Sequence, residues 1–268
     1  MTRTNVNGAS RLFPIIGDPV RWVESPRRLT TTLTERGHDA LCVPIEVTAA
    51  DLDTVMAGLT ASRNVDGLLV TMPHKGTAFA HCATASDAAR RLGVVSIIRR
   101  NADGTWHGDM LDGIAFVKAQ VEHGATVAGA RALLIGAGGA GSAIAIALLQ
   151  AGVGRLVIHD TDADRVGSFL AGIADLAAGR ASAGPNDPTG FDLVLNATPL
   201  GMNEGDPLPV DPGQLTDAMF CGDVISGHGL TPFLAAAEAA GCATANGSHM
   251  VEAAQHLMVD FLVGPRGQ

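Results

Sequence analysis

The chain has 268 residues, 47% of them hydrophobic and 17% charged, with a net charge of −9. That length holds one large domain or two modest ones around a proper core. The acidic balance, with no run of Lys or Arg, argues against a nucleic-acid or anionic-membrane partner, and the absence of tyrosine excludes tyrosine-based acid–base chemistry such as a Tyr-x-x-x-Lys pair.

Taken in chain order, the N-terminal MTRTNVNGAS has no apolar stretch and so reads as no secretory signal. Short apolar runs at 12–16, 41–45, 67–71 and 94–99 read as strands. Helical patterns follow the first three, at 26–36, 51–62 and 73–82, and another at 87–92 precedes the fourth. The turn signal Asn101-Ala102-Asp103-Gly104 folds 105–109 back as a hairpin. A helix is expected over 112–123. A second series then begins, with strands at 132–135, 156–159, 193–196 and 220–225 and helices at 140–151 and 164–178. The Gly/Pro/Asn-rich 181–189 reads as a surface loop, and the last helix runs over 249–262 with Ser248 as its N-cap.

Two β/α series separated by a helix predict an α/β protein of two domains. The expected division is 1–111 plus 246–268 for one and 112–245 for the other. The four cysteines, Cys42, Cys82, Cys221 and Cys242, are far apart with no C-x-x-C, which suits packing residues in a reduced, cytoplasmic protein. The uncharged stretch 132–154 carries six glycines in a strand–turn–helix context and is not read as a membrane span.

The strongest local motif lies in that stretch, ALLIGAGGAGSAIAIALL. Gly136-x-Gly138-x-x-Gly141 follows a strand and opens a helix, with Gly139 and Ala140 completing the turn. The first glycine permits the tight turn, the second lets a pyrophosphate reach the backbone, and the third lets helix and strand pack closely. The helix N-terminus offers free N–H groups to phosphate. The next strand ends at Asp160, placed to accept hydrogen bonds from ribose hydroxyls and to repel a 2′-phosphate. A Rossmann-type doubly wound domain binding NAD in preference to NADP is expected.

With that motif placed, the pieces IIGDPVRWVESP, VTMPHK, GVVSIIRR, GDMLDG, IGAGGAG, NATPLGM, TPFL and NGSHM, in this order, resemble the shikimate/quinate dehydrogenase family over nearly the whole chain. The resemblance implies an N-terminal substrate domain, a cofactor domain, a final helix returning to the first, and an active site in a cleft between them. It implies hydride transfer at a carbon bearing oxygen, with Lys75 moving the hydroxyl proton and Asp112 orienting it. Chemically, a lysine can do this once its pKa is tuned, and a carboxylate balances its charge. The matching pieces add Thr198 and Gly247 to the cofactor residues, and Ser25, Thr71, Ser96 and Gln255 to the substrate residues. The partner implied is a cyclic hydroxy acid; the chain itself is expected as a monomer or homodimer.

The chain also departs from the family pattern. Ser-x-Ser-Pro becomes Val23-Glu24-Ser25-Pro26, and Ser25-Pro26 also reads as an N-cap pair. Leu69 stands where an asparagine is usual, and Ser96 replaces another asparagine. The family glutamine falls on Ala254, with Gln255 about 100° further around the helix. The proton-transfer pair survives while the polar grip is rewritten, so weak shikimate turnover and a less hydroxylated ligand are expected. The cluster His107, Asp109, Asp112 does not read as a metal site. His74 reads as a solvated histidine at a helix start, and His249 and His256 as packing residues. A methylenetetrahydrofolate dehydrogenase would need a tyrosine, and a SAM methyltransferase an acidic residue before the glycines. A non-catalytic NAD-binding sensor is the remaining alternative.

Overall fold

The structure is a computed structural model and describes residues 6–21 and 23–264. The first half of the MTRTNVNGAS stretch, Trp22 within IIGDPVRWVESP and residues 265–268 lie outside the described residues. The chain divides into two compact units, one running to Leu111 and resuming at Gln255, the other Asp112–Ala254. Among the described residues, no helix is long and apolar enough to cross a membrane.

In the first unit β1 (Arg11–Gly17), β2 (Ala40–Glu46) and β3 (Gly67–Val70) run parallel. They extend into β5 (Ile97–Arg100), β6 (Trp106–Asp109) and the short β4 (Thr84–Ala85), in the order β2-β1-β3-β5-β6-β4. β5 and β6 form the antiparallel hairpin that the Asn101–Gly104 turn specifies. Four helices accompany the sheet: α1 (Ser25–Glu35), α2 (Leu52–Ala61), α3 (Lys75–Phe79) and α4 (Asp87–Leu92). β3 is central and all four of its residues are buried, which is why GLLV shows no polar alternation. Arg100 caps the end of α2 by donating to the Leu59, Thr60 and Ser62 carbonyls while lying over the Trp106 ring.

The second unit opens with α5 (Asp112–Glu122) and holds a six-stranded parallel sheet. Its strands are β7 (Arg131–Ile135), β8 (Arg155–His159), β9 (Ala181–Ala183), β10 (Leu193–Asn196), β11 (Phe220–Asp223) and β12 (Ala243–Ala245). The order β12-β11-β10-β7-β8-β9 is that of the doubly wound dinucleotide-binding fold, with its switch point between β7 and β10. The helices are α6 (Gly139–Gln150), α7 (Ala163–Gly172), α8 (Ala174–Ala177) and α9 (Pro232–Ala239). α6 is buried almost all round, so the uncharged stretch is a core strand followed by a core helix. α10 (Gly247–Val263) begins in the second unit and ends in the first.

Several local expectations are corrected. The 181–189 segment is not wholly a loop, because its first residues form the edge strand β9. The helix expected over 164–178 breaks at Ile173. Ser248 is not the cap of the last helix; the Asn246 side chain accepts from the Ser248 and His249 N–H groups instead, at 3.0 and 3.3 Å.

Candidate active site

Ligands of open α/β sheets bind beyond the carboxyl ends of the strands. In the first unit those ends are Gly17, Glu46 and Val70. Beyond Val70 the chain turns through Thr71, Met72 and Pro73, and Lys75 is the first residue of α3. Thr71 lies over the end of β1: its N–H donates to the Ile16 carbonyl at 2.9 Å, and its methyl occupies the space a Gly17 side chain would need. His74 is not solvated as expected. It is 1% exposed, and its Nε2 meets the Val47 carbonyl at 2.6 Å, tying the loop after β3 to the loop after β2. A buried imidazole thus anchors the turn that presents half-buried Lys75.

Ser96 is buried, and its N–H, carbonyl and hydroxyl oxygen all meet backbone groups. Its carbonyl accepts from Val70, its N–H donates to Asp109, and its hydroxyl accepts from the Leu111 N–H at 2.9 Å. Asp112 follows directly as the first residue of α5. Ser25 is the first residue of α1 rather than its N-cap, a place taken by Glu24 without a side-chain cap bond. The Glu24 carboxylate turns along the helix onto Arg28, whose hydrogen bond and charge hold it below the usual carboxylate range. Gln255 and Ala254 are both buried on α10. A hollow of about 220 Å³ lined by Arg11, His38, Asp66 and Leu262 opens at the starts of β1 and β2, the end of the sheet opposite Lys75.

In the second unit the glycine turn sits at the switch point. Gly136 has φ +102°, and any side chain there would crowd Thr198 and the Ala197 carbonyl, so glycine is required on two counts. Gly141 has no room for a Cβ, which would overlap the Gly136 carbonyl. Gly138 and Gly139 differ: nothing lies within 4 Å of where their side chains would be. Open backbone at the start of α6 is what a pyrophosphate needs, so Gly138 and Gly139 fit a dinucleotide.

Asp160 accepts from the Ala137 N–H at 2.7 Å and the Asp162 N–H at 2.9 Å, and pairs with Arg165 at 3.2 Å. Burial would raise its pKa, but these partners together lower it. Its carboxylate braces the turn. Gly247 is packed against the Val224 and Ile225 backbone, where no side chain fits.

One group was missed by the sequence reading. Asn196 and Asp223, paired in register at the ends of β10 and β11, are both fully buried and joined at 3.1 Å. Asn196 accepts from the Thr198 hydroxyl at 2.6 Å, and Asp223 from the Thr231 hydroxyl at 2.7 Å. Burial pushes the Asp223 carboxyl above its ordinary range despite those donors. The available signal was an apolar strand ending in a polar residue, LVLN and FCGD; Asn196 is also the first residue of NATPLGM. His107 bonds Thr84, while Asp109 accepts from Ser86 and Met110. Among the described residues no group of three His, Cys, Asp or Glu is placed to hold a metal.

The model of the shikimate dehydrogenase substrate-binding domain matches residues 15–98. Shikimate dehydrogenase (NADP(+)) of Acidiphilium cryptum is 34% identical over 248 residues, 92% of this chain and 88% of that one. Among solved structures, 5-ketofructose reductase of Gluconobacter is 28% identical at TM-score 0.87, covering 96% of this chain and 94% of that one. Shikimate 5-dehydrogenase of Listeria monocytogenes, in complex with shikimate and NAD, is 26% identical at TM-score 0.90, covering 97% and 94%.

Fold and glycine turn together define an α/β protein of two units, one of them a doubly wound dinucleotide-binding fold, and its relatives are dehydrogenases acting on a CH–OH group. The chain belongs to the shikimate dehydrogenase family.

The expected preference for NAD is overturned. The Acidiphilium relative, like that of Rhodospirillum rubrum, is named for NADP(+). The physical reason lies in Asp160, which was read as a free carboxylate that would repel a 2′-phosphate. It is instead spent on the glycine turn and partly neutralised by Arg165.

Proposed function

We propose that the chain catalyses reversible hydride transfer between NADP(H) and a cyclic hydroxy/keto acid of the shikimate or quinate type, or a less hydroxylated analogue. The observation that carries the reading is Lys75, presented by a buried anchor beyond the carboxyl end of a central strand, in a chain that also holds an open Gly138–Gly139 cradle. The bound cofactor supplies the hydride acceptor. In oxidation Lys75 takes the hydroxyl proton, and in reduction it returns it. Asp112 orients the ammonium and balances its charge. The backbone N–H groups of the glycine turn hold the pyrophosphate, and the half-exposed guanidinium of Arg165, already paired with Asp160 and Asp162, is a cation that a 2′-phosphate would share with those carboxylates.

Weak shikimate turnover is part of the proposal. Leu69 lies 2% exposed in β3, the Ser96 hydroxyl already accepts from Leu111, and Glu24 is turned onto Arg28. The likeness to a 5-ketofructose reductase adds a keto sugar to the compounds worth trying. The test follows NADPH absorbance with shikimate, quinate, a ring acid with fewer hydroxyls and a keto sugar. Lys75→Met should lower kcat by about 10²–10⁴-fold and leave NADP binding intact. Shikimate oxidised as efficiently as any other compound sinks the substrate assignment. NADP binding with no transfer to any compound favours a sensor instead.

A further inference from the structure

Ser96 stands in the family's substrate-binding stretch, yet its polar atoms are directed at the backbone. The Lys75 carbonyl accepts from the Val95 N–H at 3.1 Å. One residue on, the Ser96 carbonyl accepts from Val70, on the strand leading to Lys75, at 2.9 Å. The Ser96 hydroxyl accepts from Leu111, the residue before Asp112, also at 2.9 Å. The Ser96 N–H donates to Asp109 at 2.9 Å, in the segment that ends at Leu111. That segment is fixed a second time, because the Asp109 carboxylate accepts from the Ser86 hydroxyl and from Met110. Val95 and Ser96 are 0% and 5% exposed, so water does not compete for these bonds.

We propose that Val95–Ser96 is a clip holding the backbone at Lys75 and at the residue preceding Asp112, and that Ser96 is a positioning residue acting through the Leu111 N–H rather than a substrate ligand. The inference rests on reading Lys75 and Asp112 as the proton-transfer pair. A hydroxyl buried beneath that backbone sets where the carboxylate starts. A substrate ligand would hold its oxygen toward the ligand and change affinity when removed.

Ser96→Ala removes the acceptor without adding volume. In the free enzyme, hydrogen exchange at the Leu111 amide should rise about tenfold, the loss of one buried hydrogen bond, while the Val70 amide stays protected. With any substrate that is turned over, kcat should fall about 10- to 100-fold, as for a catalytic group displaced by about 1 Å. KM should hold, and the pH–rate profile should shift as it does in Asp112→Asn. Ser96→Thr, which keeps the oxygen, should restore most of kcat. Unchanged Leu111 exchange overturns the clip whether or not a substrate is known. A raised KM with kcat intact overturns the positioning role in favour of a substrate ligand. If Asp112→Asn alters neither kcat nor the pH profile while Leu111 exchange responds to Ser96→Ala, the proton-transfer reading fails and the clip stands as the backbone device alone.

Discussion

At the scale of single residues, what the sequence concealed were bonds from side chains to backbone. Lys75 was visible as an odd cation after a buried strand. Its neighbour His74 was misread because its partner is a carbonyl on another loop, which leaves no mark in the sequence. The Asp160 carboxylate, read as free, takes main-chain N–H groups as partners, and the Ser96 hydroxyl likewise accepts from the Leu111 N–H. Asp160→Ala should therefore cost about 1–3 kcal/mol of stability by leaving the Ala137 N–H unpaired, read from denaturant titration. If stability held and only the NAD/NADP ratio changed, Asp160 would be a ligand group and no brace.

His249 carries a pH prediction. Its ring stacks on His123 with centroids 3.7 Å apart, and Glu252 opposes the mutual repulsion. Burial first, then the neighbouring imidazole, holds its pKa below 6.5. A histidine depressed in the folded chain binds its proton more readily when unfolded, so stability falls as pH drops below about 6.5 toward the folded value. His249→Phe keeps a stacking ring and removes the titration. Its stability should decline less than wild type between about pH 7 and 5; parallel decline in the two proteins would refute the assignment.

At the scale of elements, the legible ones were those with a strong apolar run or a turn signal. β9, β12 and β4 were missed because they are three residues long or fewer and mostly Ala, Ser or Thr, too short to show a period. They exist because a neighbouring strand offers a ladder. Helix packing was likewise invisible until the backbones were placed. Gly113 on α5 lets that helix meet α6, since a Cβ there would overlap the Ala143 carbonyl. Gly113→Ala should destabilise by about 1–3 kcal/mol through overpacking and, because Asp112 is adjacent, lower turnover too. A thermal midpoint equal to wild type would show that the two helices have slack.

For the whole molecule, two α/β series and a doubly wound cofactor fold were readable because a glycine turn after an apolar strand has a restricted structural meaning. Cofactor choice was not, because the reading took Asp160 as free, and its bonds to the Ala137 and Asp162 N–H groups and its pairing with Arg165 are properties of three-dimensional partners. Binding and folding can be separated at the same turn. Gly138 and Gly141 both belong to the motif, but a Cβ at Gly138 enters open space while one at Gly141 overlaps the Gly136 carbonyl. Gly138 has φ −71°, which any residue adopts. Gly138→Ala should thus leave the unliganded chain near wild-type stability, and Gly141→Ala should not. In wild type, NADP at a hundredfold excess over Kd should add about 2.7 kcal/mol, visible as a shift in unfolding midpoint. Gly138→Ala at the same NADP concentration should lose most of that shift, because its methyl stands where the pyrophosphate must approach. A full shift in Gly138→Ala would mean that phosphate is bound elsewhere than on this turn.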